Sequence, residues 1–166
     1  MFYVIVDTIV SEIQLSYLSY ESGNRLEKTL VGKNQKRETF KEDDQAYVIE
    51  SMSKNVILHD HEISVEAALK VFEENHIHHL VLTKNKRVAG IVSDRDLLWV
   101  KKMNLAEHAM AKQFMAKTIL CCNEETPIDY VAKVMVKEEI SALPVINDEH
   151  ILTGIITHHD LLKRLY

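Results

Sequence analysis

From Tyr47 onward the chain repeats itself. Two stretches set about 63 residues apart carry the same order of residue types, and self-similarity at a fixed period outranks any local reading of secondary structure. Met52-Ser-Lys-Asn-Val-Ile-Leu returns as Met115-Ala-Lys-Thr-Ile-Leu-Cys. The Ser64–Phe72 stretch returns as Pro127–Met135, and Ile77–Thr83 returns as Ile140–Ile146. Gly90-Ile-Val-Ser-Asp-Arg-Asp returns as Gly154-Ile-Ile-Thr-His-His-Asp, with Asp96 and Asp160 at matching ends. Whatever this chain folds into is built from two copies of one unit.

Local patterns give the unit its elements. Each Met-x-Lys stretch leads into a short strand. Val65, Ala68, Leu69 and Phe72 fall at i, i+3, i+4 and i+7, one face of a helix, and Ile128, Val131, Ala132 and Met135 repeat that spacing. Ser64 is the N-cap of the first helix. For the second, the sequence predicts Thr126 as the cap, Pro127 at the first helical position and Asp129 as the acid of a capping box. Two apolar strands separated by a polar turn follow in each copy, then a short exit helix from Asp96-Leu-Leu-Trp-Val or Asp160-Leu-Leu-Lys-Arg-Leu. The corner where strand hands over to helix leaves backbone N–H groups free, and a hydroxyl and a phosphate can be held there.

Each unit thus reads strand, helix, strand, strand, helix. At about 50 residues it is too small to cover both faces of its own sheet. Packing the two sheets together around a pseudo-two-fold axis removes that difficulty. The fold class expected is α/β (α+β): two βαββα repeats, at 47–104 and 105–166, the second opening with a helical connector from Leu105 to Phe114.

Residues 1–46 stand apart. Phe2, Val4 and Val6, then Ile13, Leu15 and Tyr17, alternate loosely as one or two strands, so the arm is expected to be β-rich. Ser22-Gly23-Asn24 marks a turn, and the charged run from Gly32 to Gln45 reads as a solvated linker. No chemistry attaches to the arm.

Composition narrows the function. Hydrophobic residues make up 46% of the 166, enough for a core, and the net charge of −5 comes from interspersed signs, unlike the basic face that nucleic acid selects. Cys121 and Cys122 are neighbours and imply no disulfide framework, which suits a reducing compartment. No apolar run approaches the ~20 residues of a membrane span, and Met1–Asp7 lacks a basic leader, so the expected location is the cytoplasm. There is no nucleophile elbow, phosphate-wrapping glycine loop or metalloprotease helix, and with 4 glycines in all a glycine-built phosphate loop is not expected. The chain reads as a non-enzyme.

These motifs resemble the cystathionine-β-synthase (CBS) domain, and their duplication resembles a tandem CBS pair, or Bateman module. The resemblance rests on the Met-Ser-Lys and Met-Ala-Lys entries, the helix after Thr126-Pro127, the Ile-Ser-Ala-Leu-Pro-Val-Ile strand and the paired Gly90–Asp96 and Gly154–Asp160 motifs. It implies a regulatory sensor that binds an adenine nucleotide (AMP, ADP or ATP) or S-adenosylmethionine between the repeats, needs no cofactor and acts on an unknown downstream protein. It implies ribose hydroxyls on Asp96 and Asp160, and phosphate or ribose contacts at Ser93 and Thr157. It implies an adenine slot from Ile57, Ile77 and His78 in one repeat and Leu120, Ile140 and Ser141 in the other. The sets are expected to cross: Ile57, Ile77 and His78 with Thr157 and Asp160, and Leu120, Ile140 and Ser141 with Ser93 and Asp96. A carboxylate accepting from both hydroxyls of a diol, beside a neutral hydroxyl donor, is sound chemistry for that ligand. Arg95 places a permanent charge beside the first motif, although the adjacent Asp94 opposes an anion, where the second has His158 and His159; the Ser93–Asp96 cleft is expected to hold a polyphosphate better. The family also implies a homodimer through helices, with Leu97, Leu98, Trp99, Leu161 and Leu162 on the face.

Other readings stay open on the residues alone. Asp96, Asp160, Ser93 and Thr157 also suit plain helix starts, and Ile57, Ile77, Leu120 and Ile140 suit a core. A structural dimerisation module with empty clefts is one rival function. A metal or redox sensor is another, using His59, His61, His76, His78, His79 or Cys121-Cys122, although no zinc spacing or Cys-x-x-Cys is present.

Overall fold

The structure is a computed structural model, and it describes residues 1–18 and 45–164. The predicted turn at Ser22–Asn24 and the charged run up to Asp44 lie outside the described residues. The first repeat contributes β3 (Leu58–Asp60), α1 (Val65–Asn75), β4 (His79–Lys84), β5 (Arg87–Ser93) and α2 (Asp94–Lys102). The second contributes β6 (Thr118–Asn123), α3 (Ile128–Lys137), β7 (Ala142–Ile146), β8 (Leu152–Thr157) and α4 (His158–Lys163). Ahead of both stand β1 (Phe2–Val6) and β2 (Ile9–Ile13).

The repeated pattern becomes repeated geometry. In each unit the first strand runs parallel to the second across the helix, and the second and third form an antiparallel hairpin. Ser64 caps α1 as predicted, accepting from the Ala67 N–H at 3.2 Å. Both long helices stop without glycine: His76 and Glu139 take up left-handed backbone (φ 53° and 55°) at matching positions. The β4–β5 turn needs positive φ at Asn85 and Lys86, the geometry that suits the twist of a two-residue hairpin.

Burial divides along the expected lines. Val65, Ala68, Phe72, Leu80, Leu82 and Leu97 fill the space between sheet and helices in the first repeat. Val131, Val134, Met135, Leu143 and Ile156 do so in the second. The remaining faces meet each other: Val81, Val88 and Ile91 pack on Ala142, Leu152 and Ile155. This is the sheet-to-sheet interface that the size of the unit called for.

The repeats also exchange their entry segments. Val48 and Met52, sequence partners of the first repeat, are buried in the core of the second. Ala111, Phe114 and Met115 pack into the first. Ser53 exchanges both backbone hydrogen bonds with Ile155 at 2.9 and 3.0 Å, and Ala116 does the same with Ile91 at 2.8 and 3.3 Å. The motif glycines make room for this. A Cβ at Gly90 would overlap the Met115 side chain and come within 3.0 Å of the Ala116 carbonyl oxygen. At Gly154 it would lie 2.6 Å from Met52 Sδ and 3.1 Å from the Ser53 carbonyl oxygen. Each motif glycine is therefore paired with a methionine of the other repeat.

Three expectations are corrected. The connector is not a helix: Asn104 and His108 have φ of 57° and 61°, and only Ala111–Gln113 forms a single 3₁₀ turn. Its backbone bonds go to the first repeat instead, Val65 N–H to the Ala109 carbonyl and Ala111 N–H to the Ile63 carbonyl, both at 2.9 Å, while Ala106, Ala109 and Ala111 enter that core. Thr126 does not cap α3. Pro127 is the N-cap, without a side-chain bond, and the fully buried Thr126 hydroxyl accepts from the Asn123 N–H at 3.1 Å and donates to the Met1 carbonyl at 2.9 Å. Leu97 is fully buried and belongs to the core, whereas Leu98, Trp99 and Leu162 are exposed.

The arm is β-rich over its described part, and its place is specific. β1 lies antiparallel on the outer edge of β6, and the second repeat's sheet runs β2-β1-β6-β7-β8. Tyr3 and Ile5 are buried as deeply as Phe2, so both faces of β1 are covered rather than one. No helix among the described residues is long and apolar enough to cross a membrane.

Two outcomes are expected. Gly90→Ala lowers unfolding free energy by about 1–3 kcal/mol through overpacking, and adding Met115→Ala costs less than the sum of the two changes, a coupling that urea unfolding of the double-mutant cycle measures. Thr126→Val costs about 1–3 kcal/mol by leaving a buried donor and acceptor unpaired, with faster amide exchange along β1 as its signature.

Candidate functional site

The two motif corners have the same local construction. Ser93 is the N-cap of α2 and Thr157 that of α4, and in each the aspartate three residues on closes a capping box. Thr157 donates both its N–H (2.9 Å) and its hydroxyl (2.7 Å) to Asp160 Oδ2. Ser93 does the same toward Asp96 Oδ2, from its N–H at 3.3 Å and from its hydroxyl. One carboxylate oxygen is thus used by the helix start. The other, Oδ1, takes no hydrogen bond among the described residues. The capping role and a ligand role are compatible, because they use different oxygens.

The corners differ in exposure. Asp160 is 7% exposed, whereas Asp96 is an exposed side chain. A half-free carboxylate kept from water gains more from a hydrogen-bonding partner than an exposed one does. Arg95 and His159 both face solvent. Beside Arg95, Asp94 is held in place: its Oδ2 lies 2.7 Å from His78 Nδ1 and its Oδ1 accepts the Arg95 N–H at 2.7 Å. A fixed carboxylate thus stands beside the Arg95 charge at this corner.

The predicted slot residues lie at the neighbouring strand ends. Antiparallel register sets His79 against Ser93 and Ala142 against Thr157. The Asp94 N–H then donates to the His78 carbonyl at 3.1 Å, and the His158 N–H to the Ser141 carbonyl at 3.0 Å. These bonds tie the backbone of His78 and of Ser141 to the motif of their own repeat. Ile57 and Ile77 are half-buried against the first core, and Leu120 and Ile140 against the second. They line the edges of the cores.

Where the repeats do meet here, the predicted Ser141 is joined to His79, a residue outside the predicted site. His79 Nε2 lies 2.8 Å from the Ser141 hydroxyl, a hydrogen bond from one repeat to the other. Burial lowers the pKa of His79, the nearby Asp94 and Asp96 raise it, and His78 and His158 lower it again. The signal for it in the sequence was slight: His79 heads a strand whose counterpart begins with Ala142.

The metal and redox alternatives find little here. Among the described residues, no three His, Cys, Asp or Glu side chains gather as metal ligands. Cys121 and Cys122 are fully buried, and burial pushes the Cys122 thiol up to about 12 and that of Cys121 upward as well. Protonated thiols without access to solvent are core residues in character.

With the geometry in hand, likeness to known proteins is informative. The CBS domain family model matches residues 47–101 and 111–166. The L-aspartate semialdehyde sulfurtransferase of Methanocaldococcus jannaschii is 28% identical over 113 residues, 68% of this chain and 22% of that protein. The inosine-5′-monophosphate dehydrogenase of the same organism is 29% identical over 116 residues, 69% of this chain and 23% of that one. The chain thus spans less than a quarter of the length of these curated relatives. A CBS domain pair solved in complex with 5′-methylthioadenosine and S-adenosyl-L-methionine superposes with a TM-score of 0.67 at 26% identity, over 73% of this chain and 96% of that one. With matched segments that together take in both βαββα units, their exchanged entries and their paired Gly-to-Asp corners, the chain belongs to the CBS domain family.

Proposed function

We propose that this chain is a regulatory module, without catalysis of its own, that binds an adenosine-containing ligand between its two repeats. The observation that carries the reading is the duplicated corner. In each repeat a carboxylate commits one oxygen to a capping box and keeps the other free, at the end of adjacent strands. A free carboxylate oxygen has lone pairs to accept from both hydroxyls of a ribose diol. Support comes from the related domain pair that was solved with two adenosyl compounds. Asp96 and Asp160 are the ribose acceptors in this reading. Ser93, Thr157, Arg95 and His159 stand by the variable part of the ligand. Ile57, Ile77 and His78, with Leu120, Ile140 and Ser141, form the purine slots. The Thr157–Asp160 corner, with its sheltered carboxylate, is the tighter of the two.

Regulation follows from linkage. A ligand that touches both repeats favours the arrangement in which its contacts are complete, and any protein that binds that arrangement better feels the shift. The module works in the cytoplasm, where buried thiols stay reduced. It pairs with a second copy through the exposed Leu98, Trp99 and Leu162 of α2 and α4.

Thermal unfolding with S-adenosylmethionine, 5′-methylthioadenosine, AMP, ADP and ATP tests the reading. A ligand at about 100 times its Kd adds about 2.7 kcal/mol to stability, a clear rise in melting temperature. Asp160→Asn, which retains a capping acceptor, is expected to weaken that ligand by about tenfold or more, and Asp96→Asn by less. A melting temperature indifferent to all five compounds would sink the proposal. The dimer is checked separately: Trp99→Glu is expected to shift sedimentation from twice the chain mass to the chain mass.

A further inference from the structure

We infer that the N-terminal β1–β2 hairpin is a clamp across the repeat interface, whose docking reports how the two repeats are arranged. It lies outside both segments matched by the family model. Its hydrogen bonds go to one repeat and its side chains to both. On the second repeat, β1 pairs with β6 along its length, from Phe2 opposite Cys122 to Val6 opposite Thr118. The repeat's own β7 pairs with β6 only at Cys122 and Asn123. The strand that carries Leu120 is therefore held over most of its length by the hairpin, with Val4 directly opposite Leu120. On its inward face, β1 presents Tyr3 and Ile5. These are buried with Ile119, Cys121 and Ile146, and Val88 and Ile91 of β5 in the first repeat close the same cluster. Tyr3 is fixed further by an edge contact with the His150 ring, 5.5 Å between centroids.

The consequence is mechanical. β5 ends at Ser93 of the first corner and β6 carries Leu120 of a purine slot, so the hairpin bridges one strand of each repeat that leads to the candidate site. Any shift of one sheet over the other must open the Tyr3–Ile5 cluster or carry the hairpin along. Among the described residues, the first repeat's counterpart of β6, the three-residue β3, has no such strand beside it, and its Leu58 is exposed. The output of the module then lies in the hairpin. A ligand that fixes the sheets holds it down, a step that rests on the adenosyl-binding reading above.

Hydrogen exchange on the full chain tests this in two arms. In the first, without ligand, Val88→Ala trims the first repeat's share of the Tyr3–Ile5 cluster, to which Ile91 also contributes, while leaving the β1–β6 ladder untouched. Leu69→Ala on α1 serves as a control that weakens the first repeat away from the hairpin. The clamp predicts about fivefold faster exchange of β1 amides in Val88→Ala and a smaller change in Leu69→Ala. Equal effects of the two variants, or no effect of Val88→Ala, overturn it. In the second arm, whichever adenosyl compound raises the melting temperature must slow β1 exchange more than α1 exchange. A stabilising ligand that leaves β1 exchange unchanged overturns the output role. Should none of the compounds raise the melting temperature, the ligand reading falls, and the first arm still decides the clamp.

Discussion

Everything in this molecule depends on a close approach between the repeats. Gly90 leaves the space that Met115 fills, and Gly154 leaves the space for Met52. The contact is reciprocal, and each of its halves brings an entry segment onto the last strand of the other repeat, as a two-bond bridge at Ser53–Ile155 and at Ala116–Ile91. Neither unit completes its own core: Val48 and Met52 belong to the second, Ala111 and Met115 to the first. A chain of this kind gains stability only when both copies are folded and facing, so the module behaves as one cooperative body although it reads as two.

That same reciprocity gives the candidate site its position. The glycine that admits the methionine stands three residues before the N-cap, so the requirement for close packing and the requirement for a free helix start are met in one short motif. The capping box then fixes the aspartate with one oxygen toward the helix and one away from it. Two identical corners are not two identical sites. Burial separates Asp160 from Asp96, a fixed Asp94 opposes Arg95, and His79 reaches across to Ser141 only from the first repeat. Duplication supplies the architecture, and divergence at single positions gives the two halves different chemistry.

The arm shows how a family unit is extended. β6 has an open edge, and an open strand edge attracts another strand. Here the chain supplies that strand itself. Thr126, which the sequence offered as a helix cap, uses its hydroxyl to secure the first residue beside Asn123. Tyr3 and Ile5 close the gap that two twisted sheets leave at their margin.

Periodicity was enough to determine the two units, their helices, the Ser64 cap and the strand-to-helix corners at Ser93 and Thr157. These are local matters of spacing and capping, decided within a few residues. The place of Asp96 and Asp160 at the two helix starts was legible for the same reason, since both sit at fixed offsets in a repeated motif. Tertiary structure alone decided what depends on distant partners. The Leu105–Phe114 segment has helical-looking residues but gives its backbone bonds to Ile63 and Val65. Thr126 turns from the helix to Met1, and Leu97 turns inward. His79 and Ser141 meet across the repeats, a contact between strand ends that lie 62 residues apart in sequence. The arm's alternation named β1 but carried its second strand too far, since β2 ends at Ile13 and Tyr17 lies in a helical turn; the edge the strands occupy was set by which strand of the core lay open, a fact that no spacing within residues 1–46 encodes.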